Sequence, residues 1–326
     1  MSRRRPVVVV VVAPDEPDPP GLERLGAIAE LRVVREGEAL AGALTGADVL
    51  AVYDFRTRLV ADLGSSAAEV PWIHAASAGV DAVLTPAVVA GDTVVTNAQG
   101  VFDEPIAEWV LAALLFFAKD LRTAVELQRD ARWRHRESQR LAGRTLLVVG
   151  AGSIGRAVAR LCGGVGMRVR GVARRARPGD ADFEVVVATD DLLEELAGAD
   201  DVVVTLPLTP GTRHLLDAEA LDRLRPGARI VDVSRGGVVD DVALLAALRS
   251  GALAAAALDV FPTEPLPPTH PFWAMEQVLV SPHMSGDVQG WREALGAQLT
   301  DNVRRWVAGE PLRHVVDKRA LAGVRT

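Results

Sequence analysis

Short apolar runs, most of them rich in valine, recur along the chain and alternate with longer segments in which Ala, Leu and Glu predominate. β-branched runs of this length predict strands buried on both faces of a parallel sheet, and the segments between them predict helices. Strands that alternate with helices indicate βαβ units. The pattern therefore predicts an α/β fold.

The apolar runs form two series. In the first hundred residues the pattern predicts strands at 7–13, 31–34, 48–52, 72–74 and 94–96, with helices at 22–30 and 59–64. In the second series it predicts strands at 145–149, 168–172, 201–205, 229–233, 255–258 and 278–280. One long helix is predicted between the series, from Ile106 to about Arg132, and a last helix at 287–307.

The composition is that of an ordinary globular protein. The chain has 326 residues, of which 49% are hydrophobic and 24% are charged, and this length favours two domains. A formal net charge of −7 provides no electrostatic basis for a nucleic-acid partner. The single cysteine, Cys162, excludes a disulfide within the chain and favours a reducing compartment.

The valine run at 7–13 is followed at once by Pro14, Asp15 and Glu16, which favours a buried strand over a secretory signal. No apolar run reaches the roughly 18 residues that a membrane span needs. We therefore expect a cytoplasmic protein with no membrane partner. No group of Cys and His has metal-ligand spacing, so we also expect no metal.

Residues 145–155, TLLVVGAGSIG, place a buried strand directly before Gly150, Gly152 and Gly155, and a helix follows. The first glycine allows a tight turn, the second lets the backbone approach a pyrophosphate, and the third permits close packing of helix and strand. The helix N-terminus adds N–H groups and the positive end of its dipole. The segment predicts a dinucleotide site; the alternative is a glycine-rich turn without a ligand.

The next strand leads into residues 171–179, GVARRARPG. A site that prefers NAD usually has Asp or Glu here, about 20 residues after the glycines, to accept hydrogen bonds from the ribose. This chain has Ala173, followed by Arg174 and Arg175, whose guanidinium groups match a 2′-phosphate. The segment predicts NADP as the preferred cofactor and NAD as the second; a solvated basic turn is the alternative.

Several ungapped segments closely resemble the D-isomer-specific 2-hydroxyacid dehydrogenase family, in the family's order and over nearly the whole chain. They are WIHAASAGVD (72–81), VTNAQGVFDEPIAEWVLAALL (95–115), TLPLTPGTRHLLD (205–217), VDVSRGGVVDDVALLAAL (231–248), ALDVFPTEPLP (257–267) and VLVSPHMSG (278–286). The resemblance implies reduction of small 2-keto acids, such as glyoxylate or hydroxypyruvate, to D-2-hydroxyacids, or the reverse reaction, with a nicotinamide cofactor.

Three catalytic residues follow from the matched motifs: Arg235 of SRGG, Glu264 of TEP and His283 of SPH. Arg235 would bind the substrate carboxylate and the adjacent carbonyl oxygen with its fixed fork of donors. His283 would protonate the carbonyl oxygen as hydride arrives, and Glu264 would orient the ring and favour its charged form. The other five histidines, which we interpret as structural or surface residues, are His74, His135, His214, His270 and His314.

The resemblance also implies binding contacts. Those to the cofactor are Gly150, Gly152, Ser153, Ile154, Gly155, Arg174, Arg175, Leu206, Pro207, Thr212, Val233 and Asp259. Those to the substrate carboxylate are Arg235 and backbone N–H groups of Ser77, Ala78 and Gly79, which would form an anion-binding nest. The chain departs from the family at Asp232, where the family has Asn, and we expect this difference to affect the neighbouring hydrogen bonds rather than the chemistry.

The implied architecture is a Rossmann-type doubly wound parallel sheet inserted into a flavodoxin-like α/β substrate domain. The substrate domain would comprise residues 1–99 and 287–326, the dinucleotide-binding domain residues 100–286, and the active-site cleft would lie between them. The helix from Ile106, with Trp109, Phe116, Phe117 and the later Trp133, carries more apolar surface than one core face requires. This surface, together with the family's usual state, predicts a homodimer, with core packing as the alternative.

The sequence motifs do not exclude other functions on the same scaffold. Phosphite dehydrogenases retain a similar Arg, Glu and His set. A dinucleotide-sensing binding protein, similar to the C-terminal-binding corepressors, is the alternative outside the enzymes, and it would need surfaces that recognise a partner. Formate dehydrogenases fit less well, because they have Gln where Glu264 stands. Residues that could select the substrate are Tyr53, Phe55, Arg56, Met284 and Trp291.

Overall fold

The computed structural model describes residues 4–35, 37–53 and 56–321. Its strands are β1 Val7–Val11, β2 Glu30–Val34, β3 Val49–Val52, β4 Trp72–Ala75, β5 Val94–Asn97, β6 Thr145–Val149, β7 Arg168–Ala173, β8 Arg177–Pro178, β9 Val185–Ala188, β10 Asp201–Val204, β11 Ala228–Asp232, β12 Leu253–Leu258 and β13 Val278–Val280. Its helices are α1 Leu22–Gly26, α2 Gly37–Ala43, α3 Leu59–Asp62, α4 Pro86–Ala90, α5 Asp103–Ala118, α6 Leu121–Arg129, α7 Ser153–Gly164, α8 Leu192–Leu196, α9 Ala218–Asp222, α10 Asp241–Ser250, α11 Trp291–Ala308 and α12 Lys318–Leu321.

The chain divides into two compact units, one of residues 1–102 and 289–326 and the other of residues 103–288. The first unit contains a five-stranded sheet in the order β2-β1-β3-β4-β5. All its pairings are parallel, and this order is that of a flavodoxin-like sheet. Burial of β1, β3 and β4 along their whole length explains their apolar sequence, which only His74 of β4 interrupts.

The second unit contains an eight-stranded sheet in the order β13-β12-β11-β10-β6-β7-β9-β8. Its pairings are parallel except for the short β8, which runs antiparallel to β9. The strand order reverses on the two sides of β6, as in a Rossmann sheet, where ligands bind beyond the carboxyl ends of the strands at this point. The α/β fold class and the doubly wound parallel sheet are confirmed.

The predicted long helix from Ile106 to Arg132 is wrong, because the chain breaks between α5 and α6. Asp120 lies in the left-handed region with φ of 49°, which ends α5. Its carboxylate and its carbonyl both accept hydrogen bonds from Arg136, at 2.9 and 2.6 Å. The alternation of polar and apolar residues continues through this point, so the pattern did not mark the break.

The last helix begins at Trp291 rather than at residue 287, since Gly290 with φ of 86° precedes it. The pattern also missed β8 and β9, two short strands after the arginine-rich turn. Their burial is only partial, so their apolar signal is weak. No helix among the described residues is long and apolar enough to span a membrane.

Candidate active site

The glycine-rich segment forms a tight turn between β6 and α7. The amides of Gly150 and Ala151 donate to the carbonyl oxygen of Val172 at 3.0 and 3.1 Å, so the turn lies against the end of β7. A Cβ atom on Gly155 would lie 2.0 Å from the carbonyl oxygen of Gly150. Only glycine permits this close packing of helix on turn.

The N-terminus of α7 follows Gly152 and lies beside open space. Gly152 is its N-cap without a side-chain cap, and a Cβ atom there would meet nothing within 4 Å. The first amides of the helix, including those of Ser153 and Ile154, have no partner within the helix and carry the positive end of the dipole. The closed turn at Gly150 and the open space at Gly152 fit the pyrophosphate of a dinucleotide.

The arginines of residues 171–179 differ in their exposure. Arg174 and Arg175 are exposed directly after Ala173, the last residue of β7. Arg177 is half-buried, with its guanidinium 6.0 Å from the Phe183 ring centroid and Nη2 3.4 Å from the carbonyl oxygen of Ala151. The anchored Arg177 connects the turn to the glycine-rich loop, a contact that the sequence reasoning missed.

The remaining predicted cofactor residues follow three neighbouring strands at the same edge of the sheet. Leu206 and Pro207 come after β10, Val233 after β11 and Asp259 after β12. The hydroxyl of Thr212 donates to the carbonyl oxygen of Pro207 at 2.6 Å, which folds the loop after β10 onto itself. These residues therefore lie along the carboxyl ends of the strands beside the glycine-rich turn.

Arg235 lies in the loop after β11, next to the loop that carries Glu264. A Cβ atom on Gly236 would lie 2.0 Å from the carbonyl carbon of Phe261, so the glycine of SRGG allows the two backbones to touch. The amide of Phe261 in turn donates to Glu264 Oε1 at 2.9 Å. This close approach brings the loops of two predicted catalytic residues together.

Glu264 and His283 form a hydrogen-bonded pair. Nδ1 of His283 lies 2.7 Å from Oε2 of Glu264, and both side chains are about one-quarter exposed, 22% and 25%. Burial acts to raise the pKa of Glu264, but the hydrogen bonds from His283 and Phe261 and the charges of His283 and Arg235 outweigh it, so its pKa lies below the usual value. The carboxylate of Glu264 therefore stays ionised and accepts the hydrogen bonds of the ring and of the Phe261 amide.

Asp259 anchors the loop that carries His283. Its carboxylate accepts hydrogen bonds from the Ser281 hydroxyl at 2.5 Å and from the amides of Met284 and Ser285 at 2.9 Å. Its carbonyl oxygen accepts the amide of His283 at 2.8 Å. These contacts hold His283 at φ of 52°, a conformation in which non-glycine residues are uncommon and often functional.

Asp232, the residue that departs from the family, is buried at the end of β11. Its Oδ1 accepts hydrogen bonds from the amide of Ser234 at 3.0 Å and from the Ser234 hydroxyl at 2.5 Å. Burial, above all, and the charges of Asp241 and Asp259 raise the pKa of Asp232 to about 7, although the hydrogen bonds from Ser234 act against this shift. The departure from Asn therefore introduces a group that titrates near neutral pH.

The predicted nest in the first unit follows β4. The side-chain amide of Asn97 donates to the carbonyl oxygen of Ala78 at 2.7 Å, and the Ser77 hydroxyl donates to that of Gly79 at 2.7 Å. These bonds fix the turn of residues 77–79. Whether its N–H groups bind an anion stays a prediction.

The candidate specificity residues differ in their surroundings. Tyr53 is half-buried after β3, and burial raises its pKa well above the usual value. Arg56 is exposed near Asp15 and Glu16, at 3.8 and 3.6 Å. Phe55 lies outside the described residues.

The remaining described histidines are structural or at the surface. His74 is fully buried on β4, where its Nδ1 lies 2.8 Å from the hydroxyl of Thr96. His214 is half-exposed, with Nδ1 3.5 Å from Asp240. Within the described residues no three His, Cys, Asp or Glu side chains gather closely enough to hold a metal ion.

Comparison with known proteins supports the interpretation of the second unit as a dinucleotide-binding domain. A family model described as D-isomer specific 2-hydroxyacid dehydrogenase, NAD binding domain, matches residues 111–285. A 2-hydroxyacid dehydrogenase from Xanthobacter autotrophicus, solved with NADPH and MES, is 32% identical, with a TM-score of 0.75 over 96% of this chain and 98% of that one. An NADPH-dependent glyoxylate/hydroxypyruvate reductase from Sinorhizobium meliloti, solved with NADP and sulfate, is 29% identical, with a TM-score of 0.81 over 97% and 99%.

The curated relatives include glyoxylate reductases and D-3-phosphoglycerate dehydrogenases. A glyoxylate reductase from Aeropyrum pernix is 31% identical over 94% of this chain and 89% of its own length. A D-3-phosphoglycerate dehydrogenase from Mycobacterium bovis is 33% identical over 92% of this chain but only 57% of its own, so the chain spans little more than half of that relative. The resemblance carried by the sequence motifs is confirmed, and the chain belongs to the D-isomer specific 2-hydroxyacid dehydrogenase family.

Proposed function

We propose that the protein is an NADP-preferring reductase of small 2-keto acids, which transfers hydride to the C2 carbonyl and yields D-2-hydroxyacids. The observation that carries this proposal is the 2.7 Å pair of His283 and Glu264 beside the Arg235 loop. A charged histidine held by a carboxylate supplies a proton, and a neighbouring arginine binds the carboxylate and carbonyl oxygens of a keto acid.

In this proposal each of the catalytic residues of the second unit has a distinct task. NADPH, when bound, supplies the hydride from C4 of its nicotinamide ring. His283 donates the proton to the carbonyl oxygen through Nε2, because Nδ1 is engaged with Glu264. Arg235 stabilises the negative charge that develops on that oxygen. In the reverse direction the neutral imidazole accepts the proton.

The contacts to the cofactor and to the substrate carboxylate extend this assignment. We assign the pyrophosphate to the N-terminus of α7 and the nicotinamide amide to Val233 and Asp259. The substrate carboxylate would receive further donors from the backbone of residues 77–79 in the first unit. The 2′-phosphate of NADP is assigned to Arg174 and Arg175, which follow a strand that ends in Ala173 rather than in an acid.

The decisive experiment follows NADPH oxidation by the purified protein against glyoxylate, hydroxypyruvate, pyruvate and bulkier 2-keto acids. The same protein is assayed with NADP⁺ against D-3-phosphoglycerate and phosphite. Turnover of at least one keto acid by the wild type, and its loss in Arg235→Gln with NADPH binding retained, would support the proposal. Turnover of phosphite alone, or tight NADPH binding without any turnover, would refute it in favour of the other functions considered.

The cofactor preference has its own test at the end of β7. In the double variant Ala173→Asp, Arg174→Gln the new carboxylate repels a 2′-phosphate and accepts hydrogen bonds from an unmodified ribose. We expect the ratio of kcat/KM for NADPH over NADH to fall by roughly 100-fold, as expected when charged hydrogen bonds worth about 1.5–3 kcal/mol are exchanged. Arg177→Gln, a change of the anchored arginine, is the matched control; an unchanged ratio in the double variant would contradict the assignment.

A homodimer is the proposed assembly. Leu121 and Val125 of α6 are exposed by 44% and 46%, and Trp133 is fully exposed, whereas Trp109 and Phe116 are partly buried. Exposed apolar side chains close together indicate an interface. Sedimentation of the wild type and of Leu121→Glu, Val125→Glu tests this: a dimer that the double variant converts to monomer is expected, and a monomeric wild type would refute it.

A further inference from the structure

Two buried carboxyl groups lie at the carboxyl ends of neighbouring strands in the second unit. Asp232 is the last residue of β11 and Asp259 directly follows β12, and both are at most 3% exposed. The amide of Asp259 donates to the carbonyl oxygen of Asp232 at 3.0 Å. Two adjacent carboxyl groups that have lost their hydration do not both ionise readily, because each negative charge raises the energy of the other.

The two carboxyl groups differ in the hydrogen bonds that they accept. Asp259 accepts them on both oxygens, from Ser281 and Met284 on Oδ1 and from Ser285 on Oδ2. Asp232 accepts two hydrogen bonds from Ser234, both on Oδ1. Because donors stabilise the ionised form of a carboxyl group, the small number of donors to Asp232 favours a proton on Asp232.

The other surroundings of Asp232 act in the same direction. On β10 its paired residue is the apolar Val204, and the buried face of α5, which also packs against β11, is apolar. Asp241, in the first turn of α10, adds a second negative charge. Burial and these charges raise the pKa of Asp232 to about 7, within the range where an enzyme of this family would work.

We propose that Asp232 is a positioning residue whose proton keeps the base of the Arg235 loop neutral, so that no further negative charge competes with an anionic substrate for the guanidinium. The contacts that carry this role run from Asp232 to Ser234, and from the Ser234 carbonyl oxygen to Arg235 Nη1 at 2.8 Å. The inference rests on the proposed function, since it assigns the substrate carboxylate to Arg235.

Loss of the proton has a defined consequence. The negative charge of Asp232 then lies beneath the loop, where it attracts the Arg235 guanidinium and repels an anionic keto acid. Substrate binding weakens while the groups that transfer the proton stay in place. KM for the keto acid therefore rises above neutral pH, and kcat changes much less.

Asp232→Asn tests this directly, because the amide has the shape of the protonated carboxyl group and stays neutral. Between pH 6 and pH 8.5 we expect KM of the wild type to rise about five- to tenfold more than KM of the variant, the effect of one nearby charge at a protein-like dielectric. Ser234→Ala removes a donor to the ionised form and should move the midpoint of the KM rise to higher pH. Identical KM curves for the wild type and Asp232→Asn would overturn the proposal, as would an unmoved midpoint in Ser234→Ala.

Infrared difference spectroscopy without substrate separates this inference from the proposed function. The carbonyl stretch of a protonated carboxylic acid should be present in the wild type at pH 6, disappear by pH 8.5 and be missing from Asp232→Asn. A wild type that turns over no keto acid but shows this band refutes the proposed function and supports a protonated Asp232. Absence of the band overturns the inference whatever the activity.

The pH dependence of the melting temperature tests independently whether Asp232 is protonated. The raised pKa means that the native state binds this proton more tightly than the unfolded state does, so the stability of the wild type falls as pH rises from about 4 to about 7. The advantage of Asp232→Asn in melting temperature should therefore be larger at pH 8 than at pH 5. An advantage that is equal at both pH values would count against a protonated Asp232.

Discussion

His74 and His283 carry the same ring in two contrasting environments. His74 lies inside the sheet of the first unit, fully buried, with Nδ1 on the hydroxyl of Thr96 and with no hydrogen-bond partner for its buried Nε2 among the described residues. His283 lies in a loop beyond the sheet of the second unit, with Nδ1 on the carboxylate of Glu264 and part of its side chain exposed. The two rings therefore differ both in burial and in the chemistry of their partner.

For His74 the environment selects the neutral form. Burial first, and the charge of His314 second, lower the pKa of His74 to about 4, since a fully buried imidazolium loses hydration that a hydroxyl cannot replace. His283, by contrast, has the carboxylate of Glu264 as a partner and a side chain that is 22% exposed. The environment of His283 is therefore polar and partly solvated, whereas that of His74 is fully buried.

Removal of the His283 ring should have the largest effect. Asn tolerates the positive φ of this position, so His283→Asn should fold while losing the proton donor. We expect kcat/KM for the keto acid to fall about 1,000-fold, or about 4 kcal/mol, within the range attributed to general acid catalysis. Equal NADPH affinity and melting temperature are the controls, and a variant that keeps more than a tenth of wild-type kcat/KM would contradict the role.

The buried histidine should instead affect stability, and only in acid. The unfolded state binds a proton near pH 6.5 whereas the native state resists it until about pH 4. The stability contributed by neutral His74 is therefore complete above pH 6.5 and is lost as pH falls towards 4, by about 3 kcal/mol at 1.36 kcal/mol per unit of pKa. Urea unfolding at pH 7 and pH 4.5 should show a smaller acid loss in His74→Gln than in the wild type; parallel losses would contradict this account.

The sequence predicted the parallel strands of both sheets well, because fully buried strands such as β1 and β6 produce continuous β-branched runs. It missed the break after α5, since a single left-handed residue, Asp120, leaves no mark on hydrophobic periodicity. The hydrophobic pattern did not predict strands β8 and β9. They are half-buried and have only two and four residues, which is too few apolar positions to form a recognisable alternation.

For the site, motifs placed Arg235, Glu264 and His283 in one unit, and the structure brings their loops together. Their catalytic roles stay predictions. The sequence could not show that Asp259 anchors the His283 loop or that it neighbours the buried Asp232, because the burial of a carboxyl group depends on packing between distant segments. The same holds for His74, whose buried position follows from the sheet and not from its neighbours along the chain.

An intermediate effect is expected when the carboxylate of the pair becomes an amide. In Glu264→Gln the side chain can still accept a hydrogen bond from His283, but the negative charge that favours imidazolium is lost. We expect kcat/KM to fall about 10- to 100-fold, or roughly 2 kcal/mol, while NADPH affinity and melting temperature stay unchanged. A variant that retains wild-type kcat/KM would contradict a role of the carboxylate in the reaction.

The smallest effect should come from substitution of His214. This residue resembles His283 in its backbone conformation and in the carboxylate that it faces, but its contact is longer and its side chain is more exposed. Its φ is 50° against 52° for His283, and its Nδ1 also faces a carboxylate, that of Asp240. The separation, however, is 3.5 Å rather than 2.7 Å and half of the side chain is exposed, so water screens the interaction. His214→Asn should therefore change the free energy of unfolding by at most about 0.5 kcal/mol and kcat/KM by less than twofold. If His214→Asn lowered kcat/KM as strongly as His283→Asn, a left-handed histidine facing a carboxylate would suffice for function, and the short distance and partial burial at His283 would not be what distinguishes it.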